Sequence, residues 1–152
     1  MAVKDLSVVN YDFTMKIGSS VFTIDNFSPE SDMWVVDSQE IGDLQITPDG
    51  QGVKYTRQSP TIAHLTLNAG SALAEALFEV ARLSQRKGER KAKMFDISVT
   101  AMSLNGNIEV FTGGVITNSP FNHSYGVDKK KDITFDFKFL DTDNTGTALN
   151  IM

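Results

Sequence analysis

Ile133-Thr134-Phe135-Asp136-Phe137-Lys138-Phe139-Leu140 decides the fold. Apolar and polar residues alternate along it, and a period of two belongs to a β-strand, where successive side chains point to opposite faces. Ile133, Phe135, Phe137 and Phe139 therefore share one face, and Thr134, Asp136 and Lys138 take the other. A face this aromatic must be covered, while its reverse tolerates water. The pattern predicts an antiparallel sheet with a core on one side only.

Strand patterns continue upstream. Met94 to Leu104 reads as a long strand, Asn105-Gly106 as a tight hairpin turn, and Ile108 to Ile116 as the returning strand. Gly113-Gly114 marks a bulge or a close backbone approach within it. Pro120 to Val127 reads as an irregular loop. Thr61 to Asn68 alternates with apolar character on both faces: Ala63, Leu65 and Leu67 on one, Ile62, His64 and Thr66 on the other. Such a strand suits the interior of a sheet. Tyr11 to Ile17 and Val21 to Ile24, joined by Gly18-Ser19, read as a hairpin.

One helix is expected over 71–87. Ser71 can cap it, and Leu73, Leu77, Val80 and Leu83 follow at helical spacing. Arg82, Arg86 and Lys87 suit the negative end of the helix dipole, and Gly88 can close it. The predicted fold class is α+β, mainly β: an antiparallel β-barrel or sandwich with one packed helix. The organisation is a single β domain over 1–140, with a protruding hairpin at 33–57 and an extended tail over 141–152.

The 33–57 stretch stands apart. Met33 to Val36 is a short apolar strand, and Ile41, Leu44 and Ile46 belong to a second. Thr47-Pro48-Asp49-Gly50 has the chemistry of a turn, after which Val53 to Arg57 alternates again. Between Lys16 and Lys54 there is no Lys or Arg, and Asp37, Glu40, Asp43 and Asp49 make the stretch acidic. Trp34 and Tyr55 lie in it beside Val36, Ile41, Leu44, Ile46 and Val53. Two readings are open for these apolar residues: ordinary core packing, or a face completed by a neighbouring subunit.

The chain has 152 residues, a net charge of −5 and no cysteine. The missing cysteines exclude disulfides and thiolate chemistry. The acidic balance disfavours tight nucleic-acid binding. Arg82, Arg86, Lys87, Arg90, Lys91 and Lys93 cluster nonetheless, opposed only by Glu89. Two solvated surfaces explain this polarity. An acidic end and a basic end built for head-to-tail contact between copies explain it too. Met1-Ala2-Val3-Lys4-Asp5 lacks the apolar run of a secretory signal, and no stretch approaches a membrane span.

No catalytic constellation emerges. The histidines, His64 and His123, have no metal-ligand spacing, and structural roles are expected for both. No phosphate-cradling glycine motif or nucleophile elbow is present. Asp141-Thr142-Asp143-Asn144-Thr145-Gly146 resembles the start of a calcium loop, but Met152 stands where the closing Glu belongs. No enzyme activity, metal or cofactor is expected.

The order of these elements resembles the tail tube proteins of contractile bacteriophage tails. The likeness runs through the hairpin at Tyr11–Ile24, the charged hairpin at Trp34–Arg57, the Thr-rich strand Ser59–Asn68 and the small-residue helix start at Gly70-Ser71-Ala72-Leu73-Ala74-Glu75-Ala76-Leu77. It continues through Leu104-Asn105-Gly106, the loop Pro120–Gly126 and the strand Lys131-Asp132-Ile133-Thr134-Phe135-Asp136-Phe137. The tube protein of type VI secretion is similar. The resemblance implies a structural subunit of the virion, assembled in the host cytoplasm. It implies hexameric rings whose strands merge around a channel, a tape-measure protein inside, sheath and baseplate partners, DNA passage during ejection, and no membrane. The candidate contact residues are Trp34, Asp37, Glu40, Asp43, Asp49 and Tyr55 on the acidic hairpin, and Arg82, Arg86, Lys87, Arg90 and Lys91 on the basic surface. The alternatives are a soluble ring-forming or monomeric β-barrel that binds or carries cargo, and an enzyme on a β-barrel.

Overall fold

The computed structural model describes residues 11–24, 32–85, 88, 91–103 and 108–144. Expectations that fall on Arg86, Lys87, Arg90, Asn105-Gly106 and 145–152 lie outside the described residues.

Alternating side chains and a glycine turn build the first hairpin. β1 (Tyr11–Ile17) and β2 (Ser20–Thr23) pair from Ile17↔Ser20 to Thr14↔Thr23. Gly18 takes the first turn position at φ 58, where only glycine avoids strain, and Ser19 keeps a negative φ. That is the type II′ pattern, whose twist matches the flanking strands. The remaining strands are β3 (Trp34–Val36), β4 (Gly42–Ile46), β5 (Gly52–Thr56), β6 (Thr61–Leu67), β7 (Ile97–Ser103), β8 (Ile108–Asn118) and β9 (Ile133–Asn144).

Seven strands form one antiparallel sheet in the order β2-β1-β7-β8-β9-β6-β3, curled into a half-barrel. β4 and β5 form a separate two-stranded sheet. One transverse row, Ile17, Ile97, Gly114, Phe139 and Thr61, crosses five strands. From that row β1 and β7 run to one side, and β6 runs to the other. Only β8 and β9 extend both ways. The stagger is the shear that a curling sheet requires.

Two glycines permit the crossing. β8 places two residues, Thr112 and Gly113, between Phe111 and Gly114 where β7 has only Ser98 between Val99 and Ile97, so the strand bulges. Gly113 absorbs the bulge at φ 64. A Cβ on Gly114 would collide with the Phe139 ring and stand 2.7 Å from the Ile97 carbonyl oxygen. The sequence expectation of a bulge or close approach is met on both counts.

The core lies on the face predicted by the phenylalanine row. Phe135, Phe137 and Phe139 are fully buried, with Leu65, Leu67, Val99 and Met15 beside them. Burying each such side chain contributes about 1.5–3 kcal/mol. Trp34 is part of this cluster. Its ring lies edge-on to Phe111 at 5.4 Å and tilted against Phe139 and Phe137 at 6.1 and 6.3 Å. β3 pairs with β6 (Trp34↔Leu65, Val36↔Ala63), so the strand read as part of the protruding hairpin belongs to the main sheet. The aromatic cluster drew it in, and the free hairpin starts later, at β4.

α1 (Ala72–Ser84) covers the other end of the core. Leu73, Ala74, Leu77, Phe78, Val80 and Ala81 are its buried stripe, and Phe78 meets Phe135 edge-on at 5.5 Å. Ser71 is the N-cap residue by backbone conformation, but its side chain makes no capping bond. The helix ends at Ser84, earlier than residue 87 and well before Gly88. Two competing bonds end it: the Ser84 hydroxyl donates back to the Val80 carbonyl (2.7 Å), and the Lys93 N–H donates to the Leu83 carbonyl (2.8 Å). β9 likewise differs from its expected end at Leu140. It runs on to Asn144, paired with β8 through Thr112↔Asp141 and Glu109↔Asn144, so Asp141–Asn144 is ladder and not a loop.

The loop expected after Pro120 contains order. Tyr125 bridges Lys130, the Gly126 N–H donates to the Lys129 carbonyl and the Lys131 N–H to the Ser124 carbonyl, both at 2.8 Å. These bonds make a short finger over 124–131.

Gly114→Ala should cost about 3 kcal/mol of unfolding free energy in urea titration, the upper range for overpacking a dense core. Gly50→Ala meets no atom within 4 Å of the new Cβ and carries only the strain of φ 88, so about 1 kcal/mol is expected. Equal losses at the two sites would contradict the packing described.

Candidate assembly interface

The hairpin β4–β5 exposes the apolar residues that its sequence alternates. Its register, Asp43↔Tyr55, Leu44↔Lys54, Gln45↔Val53 and Ile46↔Gly52, places Leu44 and Ile46 on one side and Asp43 and Tyr55 on the other. Ile41, Leu44 and Ile46 are 77%, 63% and 76% exposed, and Tyr55 is half-exposed. Two short strands without a core of their own are marginal in water. Leu44 and Ile46, adjoining on one side and left this bare, mark an interaction surface.

The hairpin is locally braced. Arg57 reaches Glu40 (3.0 Å) and Asp43 (3.4 Å), so much of the expected acidic face is neutralised within the chain. In the turn, Asp49 accepts hydrogen bonds from the Thr47 hydroxyl and, at 3.5 Å, from the Gln51 N–H. The Thr47 bond, then the Gln51 bond, holds its carboxyl below the usual range. At the root, Gln39 donates to the Thr61 hydroxyl and accepts from Ser59 (3.4 Å). Arg57 was no candidate in the sequence; its place opposite the acidic run was the available signal.

Asp37 sits where the chain leaves the sheet. Its N–H donates to the Ile62 carbonyl (2.9 Å), and its carboxylate lies 2.9 Å from His64 Nε2. His64 Nδ1 lies 2.5 Å from Asp136 on β9. Both nitrogens donate only when the ring is cationic. Asp136 first, then Asp37, raises the His64 pKa. Asn118 donates to the second Asp136 oxygen at 3.2 Å. His64 thereby ties β3's exit to β6 and β9.

Of the basic candidates, Arg82 and Lys91 are among the described residues. Arg82 donates to the Phe121 carbonyl (2.9 Å) and lies 3.8 Å from Glu79, so it is engaged within the chain. Lys91 is exposed. Trp34 is a core residue and Asp37 an ion-pair residue; Glu40, Asp43, Asp49 and Tyr55 are together on the hairpin. His123 docks the loop after β8 onto α1. Its Nε2 lies 2.7 Å from Glu75, and its ring stands edge-on to Phe78 at 5.0 Å.

Among the described residues, no group of three or more His, Asp or Glu side chains is placed to hold a metal ion. No helix among them is long and apolar enough to cross a membrane.

An open curled sheet with one helix and a free hairpin is the fold of chains in contractile injection machines. The chain superposes on one from the anti-feeding prophage baseplate with a TM-score of 0.55 and 9% identity, covering 98% of this chain and 100% of that one. It matches a chain from the sheath/tube terminator of the PVC extracellular contractile injection system, in its extended state, with a TM-score of 0.56 and 12% identity, covering 96% and 100%. A chain of the PVC sheath–tube complex gives 0.51 and 14%, covering 89% and 88%. These likenesses show a shared fold. No curated protein matches the chain by sequence. The class is that of phage-tail-type proteins, and the chain belongs to the tail fiber protein gp32 family, whose model matches residues 5–143. The resemblance to phage tail proteins thus holds at the level of the tail; the family's description says tail fiber where the resemblance said tail tube.

His64 should titrate above the ordinary histidine value of about 6.5. Its stabilisation is complete below that unfolded value and is lost as pH rises through the raised folded one. NMR should show the His64 midpoint falling further in Asp136→Asn than in Asp37→Asn. His64→Gln should abolish the corresponding pH-dependent step in thermal stability. A His64 midpoint at or below the ordinary value would refute the double ion pair.

Proposed function

We propose that the chain is a non-enzymatic structural subunit of a phage tail tube, which assembles as rings and stacks into a hollow polymer that conducts DNA. One observation carries the reading: among the described residues the half-barrel ends in two unpaired edges, β2 and β3, in a chain of a tail-protein family. An open edge presents unpaired N–H and C=O groups and pairs readily with another chain. Joining the edges of successive copies around a ring closes the barrel and removes that hazard.

The sheet face turned away from the core suits a channel wall. Register places Thr14, Ser98, Thr100, Thr117, Thr134 and Thr66 on it. Its cations, Lys16, Lys138 and His64, stand with Asp12, Asp37 and Asp136. Hydroxyls with balanced charge grip phosphates weakly, whereas a lysine- and arginine-lined wall would hold them. The recurrence of the fold in chains from a baseplate, a sheath/tube terminator and a sheath–tube complex supports a place along the tail axis. Sheath, baseplate and tape-measure proteins are the partners this role requires.

The hairpin is the stacking element. Purified protein at high concentration should form hollow filaments in negative-stain micrographs. The triple variant Ile41→Ser, Leu44→Ser, Ile46→Ser should keep its unfolding temperature, because these side chains are already exposed, and should yield single rings or monomers. Compact monomers from the unmodified protein at every concentration would overturn the tube reading; long filaments from the triple variant would remove the hairpin from the stacking contact.

A further inference from the structure

We infer that the finger over 124–131 is the receiving surface for the β4–β5 hairpin of a second copy of this chain. The inference rests on the stacking reading above and names the other half of that contact.

Position comes first. The hairpin leaves the sheet at the Thr61 end of β6, where Asp37 bonds Ile62 and Gln39 bonds Thr61. The finger lies beyond the other end of the same strand: it precedes Ile133, which pairs with Leu67. Hairpin and finger therefore sit at opposite ends of the β6–β9 pair. A contact between opposite ends is heterologous, and repeating it builds an open stack.

The chemistry of the two ends matches. Tyr125 is 71% exposed and Val127 is fully exposed, an apolar pair to set against Leu44 and Ile46, which share one side of the hairpin. Lys129, Lys130 and Lys131 outnumber Asp128 and Asp132, so the finger is net positive. Glu40, Asp43 and Asp49 outnumber Lys54 and Arg57, so the hairpin is net negative. Charge complementarity of this kind steers approach and fixes register, while the buried apolar groups hold the contact.

The finger is also prepared in shape. Its two 2.8 Å backbone bonds fix the turn, Lys130 Nζ lies 5.9 Å over the Tyr125 ring, and His123 anchors its base to α1. Less order has to be imposed when such a surface binds. Arg82, by contrast, is occupied by Phe121 and Glu79 within its own chain.

The cysteine-free chain allows a direct test. Ile46→Cys protein is mixed with Val127→Cys protein under oxidising assembly conditions, and in parallel with Lys91→Cys protein. The finger contact predicts that the first mixture forms disulfide-linked heterodimer on a non-reducing gel at least tenfold above the second. In a separate arm, Lys129→Glu, Lys130→Glu, Lys131→Glu should abolish filaments while leaving the unfolding temperature unchanged. Filaments from the unmodified protein together with preferential linkage to Lys91→Cys, or with filaments from the triple-charge variant, would overturn the finger contact and leave stacking intact. Absence of filaments from the unmodified protein, together with absence of disulfide linkage in both cysteine mixtures, would overturn both.

Discussion

β9 is the strand on which the rest of the molecule depends. Its inner row, Ile133, Phe135, Phe137 and Phe139, is covered from two sides. Phe78 of α1 meets Phe135, and Trp34 of β3 meets Phe137 and Phe139. Its outer row supplies Asp136, which holds His64 and, through it, Asp37. Helix, edge strand and hairpin root are thus all referred to one strand. Removing the phenylalanine row would leave α1 and β3 without a surface to pack on, although neither contacts the other through a strand ladder.

The same strand explains why the sheet stays open. β9 and β8 extend to both sides of the row through Gly114 and Phe139, while β7 and β6 each occupy one side. That offset depends on a residue without a side chain at position 114 and on a positive φ at 113. It accompanies the curl of the sheet, while the β3–β6 and β6–β9 pairings put hairpin and finger at opposite ends of β6. A flat sheet with strands in step would have placed its loops in two level rows and built no comparable offset.

Local periodicity was legible in the sequence, and non-local competition was not. The β1–β2 hairpin, the interior character of β6 and the helix stripe follow from residues a few positions apart. The Gly113-Gly114 pair announced a close approach because few other contexts keep adjacent glycines inside a strand. Trp34 could not be assigned from its neighbours: the aromatic rings that capture it come from Phe111 and Phe139, far along the chain. The early end of α1 depends on Lys93, nine residues past Ser84. The neutralisation of Glu40 and Asp43 depends on Arg57, whose proximity is set by the hairpin register. The finger carried a weaker signal still, since its order lies in backbone bonds between Ser124 and Lys131 that no side-chain pattern encodes.

Self-neutralisation of the hairpin bears on how a repeating contact holds. Had Glu40 and Asp43 been free, each would have lost hydration on docking, and burying unpaired carboxylates costs several kcal/mol. With Arg57 already against both, docking changes their surroundings little. The exposed Ile41, Leu44 and Ile46 can then supply the driving force, each about 1.5–3 kcal/mol if fully covered. One such contact is modest against the loss of translational and rotational freedom on association, about 4–15 kcal/mol. In the proposed stack a ring would meet its neighbour through all of its hairpins at once, so that loss would be incurred once per ring while the apolar gain recurred at every subunit. A contact too weak to pair two molecules could therefore hold a stack of closed rings, and in that proposed assembly the edges β2 and β3 would be joined before the hairpins act together.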